Sequence, residues 1–128
     1  MASAGNDLLS AQALLDVSMP SYETASFHAQ QAAEKALKAL LIRHQVDFMK
    51  THDLGELLLL AERVAPGVAR TLAAATELTR HAVDSRYPGG DDSVTREEAR
   101  HHVTLADAVV TTVRGLLTEY FDSGQPGG

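Results

Sequence analysis

The segment Arg86-Tyr87-Pro88 carries side chains that are suited to binding a phosphorylated ligand. An arginine guanidinium can contact a phosphate through two hydrogen bonds, and a tyrosine ring offers a face for stacking. Pro88 restricts Tyr87 to an extended conformation and so fixes the direction of its ring. In the alternative, structural interpretation Arg86 pairs with a helix carboxylate such as Glu34, and Tyr87 packs as a lid over the helices. Both interpretations remain open, because a binding site could use the same contacts.

Gln31, Lys35 and Lys38 form a second group, with spacings of four and three residues in a segment rich in alanine and leucine. On a helix this spacing places an amide and two ammonium groups on one stripe. Glu34 and Lys38 also have the spacing of a favourable i,i+4 ion pair. The stripe is therefore interpreted either as a ligand site or as an ordinary solvated face.

Metal and thiol chemistry are not supported by the residues present. The chain has no cysteine, which excludes disulfides, thiolate chemistry and cysteine-based zinc sites. His101 and His102 are adjacent and diverge by about 100° on a helix, so they cannot bind one ion together. His52 is expected to form a hydrogen bond near the start of the third helix, and the alternative is that it reaches into a shared pocket. The remaining histidines, which are His28, His44 and His81, lack the i,i+4 spacing of a helical metal site. No glycine-rich phosphate loop is present. We therefore expect neither a metal nor a cofactor.

Composition and charge set further bounds. The 128 residues fit one domain that can bury a core of its own. The net charge of −6 argues against non-specific coating of nucleic acid, although it leaves room for a local phosphate pocket. No apolar run is long enough to span a bilayer, and the first residues lack the features of a signal peptide. We therefore expect a cytoplasmic protein.

A central helix is predicted from Tyr22 to His44, in a run without glycine or proline. Its alanines and leucines cover more than half of its circumference, which predicts contact with more than one neighbouring helix. One polar arc remains, and its residues are His28, Gln31, Glu34, Lys35 and Lys38.

The other helices are predicted from caps and breaks in the sequence. They are a first helix from an Asn6 N-cap to Val17, a third that begins at Asp53-x-x-Glu56, a fourth from Pro66-Gly67 to about Ala82, and a last from Thr95-x-x-Glu98 to about Phe121. No segment alternates like a strand, so we predict an all-α, up-and-down bundle of four to five helices. Its bounds are residues 7–121, between a flexible N-terminus, 1–6, and a disordered tail, 122–128.

The last helix carries more apolar residues than one contact stripe requires, namely Leu105, Val109 and Leu116 in addition to the main set. We interpret this surplus as the interface of a two-fold dimer.

Three motifs together resemble the HEPN domain proteins, small helical domains that are often encoded beside minimal nucleotidyltransferases in prokaryotes. They are Ala29-Gln30-Gln31-Ala32-Ala33-Glu34-Lys35-Ala36-Leu37-Lys38-Ala39-Leu40-Leu41, Lys50-Thr51-His52-Asp53-Leu54 and Arg86-Tyr87-Pro88. The first is specific because it combines a glutamine pair with Glu-Lys at fixed offsets. The resemblance covers roughly residues 7–117, and it implies a HEPN-like bundle and a homodimer.

The resemblance also implies two possible kinds of activity. Some HEPN proteins look like nucleotide- or partner-binding modules, and others look like ribonucleases. Many HEPN proteins resemble metal-independent ribonucleases that carry Arg, four to six residues, then His; here Arg96 and His101 match, and His102 also falls within the window. Arginine would hold the phosphate while histidine exchanges protons with the 2′-hydroxyl and the leaving oxygen. However, Arg96 and His101 are about 140° apart around a helix, and Glu97 and Glu98 would repel a phosphate.

We therefore expect a nucleotide- or RNA-associated binding module that acts with a minimal nucleotidyltransferase in a toxin–antitoxin-like pair. Its expected nucleotide-binding residues are Arg86, Tyr87, Gln31, Lys35 and Lys38. The alternative is a dimeric ribonuclease toxin in which Arg96 and His101 are catalytic. A structural or adaptor bundle is the third possibility.

Overall fold

Five α-helices and one 3₁₀ helix make up the part of the chain described by the computed structural model, which covers residues 2–16, 22–48, 50–79 and 94–122. They are α1 (Ala2–Asp16), α2 (Tyr22–Arg43), α3 (Leu54–Ala61), α4 (Val68–Thr71), the 3₁₀ helix (Ala73–Leu78) and α5 (Arg96–Asp122). These ranges contain no β-strand, and the predicted all-α class is confirmed. None of their helices is both long and apolar enough to cross a bilayer.

Helix α2 lies at the centre of this arrangement. It packs against α1 and α5, which also contact each other, and against α3 and the 3₁₀ helix. The predicted contact with several neighbours is therefore confirmed. Small alanine side chains let the neighbouring backbones approach closely, while each buried leucine contributes about 1.5–3 kcal/mol. The buried apolar residues of α2 are Ala25, Ala29, Ala32, Ala33, Ala36, Leu37, Leu40 and Leu41.

The start of α5 is formed by the predicted capping box. The backbone N–H of Thr95 donates to Glu98 Oε1 at 3.2 Å, and the backbone N–H of Glu98 donates to Thr95 Oγ1 at 3.1 Å. Two backbone N–H groups without a helical partner are satisfied in this way. The helix then runs to Asp122, one residue beyond the predicted end.

The predicted N-cap at Asn6 is wrong, because α1 begins at Ala2 and Asn6 lies inside it. Ala4 and Leu8 are buried, so packing of the first turns against the core outweighs the capping preference of asparagine. Residues 2–6 are thus helical, whereas the sequence predicts a flexible segment at residues 1–6. The other predicted domain bounds remain predictions.

Asp53 caps α3 as predicted, but Glu56 does not complete the box. Asp53 Oδ1 accepts the backbone N–H groups of Gly55 at 2.8 Å and Glu56 at 3.3 Å. The Glu56 carboxylate instead accepts the Thr51 hydroxyl at 2.8 Å, and Thr51 Oγ1 accepts the backbone N–H of Asp53 at 3.0 Å. The Thr51 hydroxyl is therefore hydrogen-bonded to both Asp53 and Glu56.

The prediction of one continuous fourth helix is wrong. Four residues of α helix are followed by the 3₁₀ helix, with Leu72 at φ −107° and ψ 18° between them. The buried residues of this segment are Val68, Leu72, Ala75 and Leu78. The last three are spaced by three residues, which matches the period of a 3₁₀ helix and keeps all three on the core side. Ala82 lies outside the described residues.

The apolar surplus on α5 is used within the chain. Val109 is fully buried, and Leu105 and Leu116 pack against the core as partly buried side chains. The long helix contacts α1, α2 and the 3₁₀ helix, so it needs more than one apolar stripe. Packing within the chain accounts for much of this surplus, and both the interface and the homodimer remain predictions.

Candidate functional site

The polar arc of α2 forms the surface on which most of the predicted site residues lie. We call His28, Gln31, Glu34, Lys35 and Lys38 the α2 polar stripe. At about 100° and 1.5 Å per residue, the stripe covers an arc of about 120° and a length of about 15 Å. Gln31 and Lys35 are half-buried near its middle, and neighbouring segments contribute further polar groups to both ends.

Glu34 is buried, although the sequence predicted that it lies on the polar arc. Its side chain is 5% exposed, and its two oxygens accept hydrogen bonds from three side chains. Gln30 Nε2 donates to Oε1 at 2.6 Å, Lys38 Nζ donates to Oε2 at 2.9 Å, and His52 Nδ1 lies 3.0 Å from Oε1 and 2.8 Å from Oε2. The predicted Glu34–Lys38 pair is present, and these donors compensate for the burial of the carboxylate.

These contacts decide the ionisation of Glu34. Burial on its own raises the pKa of a carboxyl group, because it disfavours the charged form. The hydrogen bonds from Lys38 and His52, the positive charge of Lys38 and the hydrogen bond from Gln30 act in the opposite direction and prevail, so the pKa of Glu34 lies below its ordinary value of 4.5. Glu34 is therefore an anion at neutral pH and accepts a hydrogen bond from Nδ1–H of His52.

A second carboxylate, Asp7 of α1, lies beside the same stripe. Its Oδ1 is 3.0 Å from His28 Nδ1, and its Oδ2 accepts a hydrogen bond from Lys35 Nζ at 2.7 Å. The sequence analysis missed this residue as a partner of the stripe. The contact depends on how α1 lies against α2, and no local motif around Asp7 indicates it.

The two carboxylates have the same set of partners, and we call the resulting groups the Asp7 triad and the Glu34 triad. In each, one carboxylate binds one imidazole through Nδ1 and one lysine ammonium. The members are Asp7, His28 and Lys35 in the first, and Glu34, His52 and Lys38 in the second. Each triad has a net charge of zero when its histidine is neutral and +1 when it is protonated.

The predicted ligand-binding lysines thus lie on one face, but each is paired with a carboxylate. The Lys35 side chain is 41% exposed and that of Lys38 is 22% exposed. Lys38 Nζ also lies 5.8 Å from the centre of the Phe48 ring, within range of a cation–π contact. Arg86 and Tyr87, the other two predicted binding residues, lie outside the described residues. The binding roles of all five remain predictions.

Arg96 and His101 are both exposed on α5. His101 Nε2 lies 2.7 Å from Glu77 Oε2 of the 3₁₀ helix, so the imidazole is held by a carboxylate. The adjacent His102 points elsewhere: it is buried, and its Nδ1 lies 2.8 Å from Ser26 Oγ of α2. The two histidines diverge as predicted, and within the described ranges no group of three or more candidate ligands could hold a metal ion.

A groove between α3 and the segment that follows it has a volume of about 450 Å³. Its lining includes Leu58, Leu59, Ala69 and Ala73, with the Asp53 carboxylate near one end. None of the described residues that line it is basic, so this lining does not match an anionic ligand. The α2 polar stripe is the better candidate for binding a phosphate.

Comparison with known families places this geometry in context. The model of the HEPN domain family matches residues 1–116, a range that contains both triads and most of α5. Separate comparisons with curated proteins and with solved structures gave no significant match.

Proposed function

The chain belongs to the HEPN domain family, and on this premise we propose that it is a nucleotide- or RNA-associated binding module rather than an enzyme. The observation that carries the proposal is the α2 polar stripe. Lys35 and Lys38 lie on one face of a helix, together with Gln31 and the imidazoles of the two triads. The lysines and Gln31 offer hydrogen-bond donors in an otherwise acidic chain with a net charge of −6.

The ion pairs of the lysines are compatible with this role. An ammonium group has three N–H donors, and among the described residues Lys35 uses one on Asp7 while Lys38 uses one on Glu34. Each lysine can therefore donate to a phosphate oxygen without breaking its ion pair. The carboxylates also restrict the motion of the lysine side chains, which lowers the conformational entropy that binding would cost.

The placement of Arg96 and His101 favours binding over catalysis. A general base must reach the proton that it removes, and unlike the carboxylates of the two triads, the one beside His101 has no lysine partner among the described residues. His101 contacts Glu77, and Glu97 adds a further exposed carboxylate beside Arg96. Both acidic groups repel the phosphate that the reaction requires.

We further propose a homodimer and a minimal nucleotidyltransferase as partner, in a toxin–antitoxin-like pair. The support for both is the family to which the chain belongs. Light scattering at tens of micromolar distinguishes a monomer from a dimer. Co-expression with the nucleotidyltransferase of a neighbouring gene, followed by gel filtration, tests the pair, and separate elution of the two proteins would contradict it.

Binding to the stripe is tested by fluorescence anisotropy with a labelled single-stranded RNA 12-mer and a labelled nucleotide. We expect the double variant Lys35→Gln/Lys38→Gln to bind about ten-fold or more weakly, since two charge-assisted contacts are lost. Lys50→Gln is the control, because Lys50 is exposed on the loop before α3 and its substitution removes one positive charge, as each single substitution in the stripe does. Equal weakening by Lys50→Gln, or no binding by the unmodified protein, would contradict the proposal.

A further inference from the structure

The two triads point to a property of the stripe that the lysines alone do not provide. We propose that His28 and His52 are phosphate-binding residues that act when protonated, so that the stripe binds the phosphodiesters of single-stranded RNA more tightly at mildly acidic pH. This inference rests on the proposed function, and it adds two binding residues and a dependence on pH to it.

Both imidazoles are oriented in the same way. Each faces its carboxylate through Nδ1, at 3.0 Å for His28 and 2.8 Å for His52. Nε2 lies across the ring from this contact, and none of the described residues binds it in either histidine. The side chain of His28 is 30% exposed and that of His52 is 56% exposed, so a ligand can reach both rings. Each carboxylate thus acts as a positioning group that directs an N–H donor outward once the ring is protonated.

The charges around His52 come from two elements. Glu34 and Lys38 face it from α2 and cancel each other. At the start of α3, the Asp53 carboxylate binds backbone N–H groups and that of Glu56 accepts the Thr51 hydroxyl. These two hydrogen-bonded carboxylates keep their charges, so protonation of His52 makes this end of the stripe less negative and adds an N–H donor for a phosphate.

His28 has an equivalent environment at the other end of the stripe. Asp7 faces it from α1, and Lys35 of α2 cancels the charge of Asp7. Protonation of both histidines changes the sum over the two triads from zero to +2.

The dimensions of the stripe favour a strand over a single phosphate. His28 and Lys38 are ten residues apart on α2, or about 15 Å at 1.5 Å per residue. His28 lies at one end of this length, and His52 contacts Glu34, which is six residues, or about 9 Å, along the helix from His28. One phosphate group cannot contact both ends, whereas successive phosphates of a single strand can.

The experiment measures the Kd of a tetramethylrhodamine-labelled RNA 12-mer without terminal phosphates from pH 6 to pH 8 at constant ionic strength. Phosphodiesters remain ionised over this range, unlike a phosphate monoester with its second pKa near 6, so any change arises from the protein. We expect binding about ten-fold or more tighter at pH 6 than at pH 8, since two charge-assisted contacts are gained. In His28→Gln/His52→Gln this ratio falls to about two or less, and each single substitution removes part of it.

His101→Gln is the matched control. Like His52, His101 is more than half exposed and contacts one carboxylate; its side chain is 54% exposed and its Nε2 lies 2.7 Å from Glu77 Oε2. It lies on α5, outside the stripe. We expect it to retain the full pH dependence. Circular dichroism at both pH values verifies that the variants are folded, and the single variants suffice if the double variant is not.

The outcomes separate this inference from the function on which it rests. Binding that requires Lys35 and Lys38 but does not change with pH would overturn the roles of the histidines and leave the proposed function intact. A pH dependence that persists in the double histidine variant would do the same. If cyclic AMP, a single phosphodiester, binds as tightly as the 12-mer, the assignment to a strand is wrong. Absence of RNA binding at every pH would overturn this inference, and absence of nucleotide binding as well would overturn the proposed function.

Discussion

The Nδ1 atom of His52 lies 2.8 Å from Oε2 of Glu34, although the two residues are 18 positions apart. Glu34 is buried in the central helix, whereas His52 belongs to the segment that leads into α3. The contact joins α2 to the segment that precedes α3. It also gives His52 a defined orientation, because the carboxylate is held in place by Gln30 and Lys38.

Glu34→Gln should destabilise the protein by about 1–3 kcal/mol, since the charge-assisted hydrogen bonds from Lys38 and His52 are lost in a buried site. Urea denaturation followed by circular dichroism at pH 7 measures the free energy of unfolding. Asp107→Asn, an exposed change on α5, is the control and should have little effect. A Glu34→Gln variant as stable as its parent would show that the network does not stabilise the fold.

The stability of the protein should decrease as the pH falls below about 4.5, the ordinary value for a glutamate. The pKa of Glu34 is lowered in the folded state, and that of Glu62 is lowered by hydrogen bonds from the backbone N–H groups of Gly67 and Ala69. A carboxyl group whose pKa is lowered by folding stabilises the fold above its unfolded pKa, and this contribution is lost as the pH falls through the folded pKa.

Urea denaturation between pH 3 and pH 7 tests this dependence. The difference in unfolding free energy between the unmodified protein and Glu34→Gln should be largest near pH 7 and should shrink toward pH 3. A difference that stays constant over this range would contradict the assignment of a lowered pKa to Glu34.

Thr95→Ala should cost about 0.5–2 kcal/mol, because α5 loses the hydroxyl that accepts the backbone N–H of Glu98. Thermal unfolding followed by circular dichroism measures the change. Thr104→Ala removes an exposed hydroxyl from the interior of the same helix and is the control. If the two variants have the same melting temperature, the capping box makes no measurable contribution to stability.

Arg86→Ala should weaken binding of a nucleotide or short RNA at least ten-fold, because the loss of a charge-assisted contact costs about 1.5–3 kcal/mol. The melting temperature should shift little. Arg86→Lys retains the charge without the planar fork, so it separates bidentate contact from simple attraction. A large fall in melting temperature with unchanged affinity per folded molecule would assign Arg86 to structure.

The purified protein should not cleave single-stranded RNA above background in EDTA, since His101 is bound to Glu77 on an exposed surface. Gel electrophoresis of a labelled RNA measures cleavage, and His101→Ala is the comparison. Robust cleavage that disappears in a folded His101→Ala variant would identify the protein as a ribonuclease and overturn the binding module proposed above.

The sequence by itself determined the elements whose signals are local. A run without glycine or proline predicted α2 to within one residue of its observed end at Arg43. The reciprocal spacing of Thr95 and Glu98 predicted the start of α5. Both signals arise within a few turns of one helix, where hydrogen bonding and periodicity act over short distances along the chain.

Only the tertiary structure decided which polar residues meet. Asp7 contacts His28 and Lys35 across 21 and 28 positions, and Glu34 receives His52 from a separate segment. Packing against the core also moved the start of α1 to Ala2 and converted the second half of the predicted fourth helix to a 3₁₀ helix. Periodicity shows which side of a helix is polar, but it does not show which neighbour that side faces. The partners of a buried carboxylate depend on how the helices pack, because burial makes a hydrogen-bond donor necessary and only the packed neighbours can supply one.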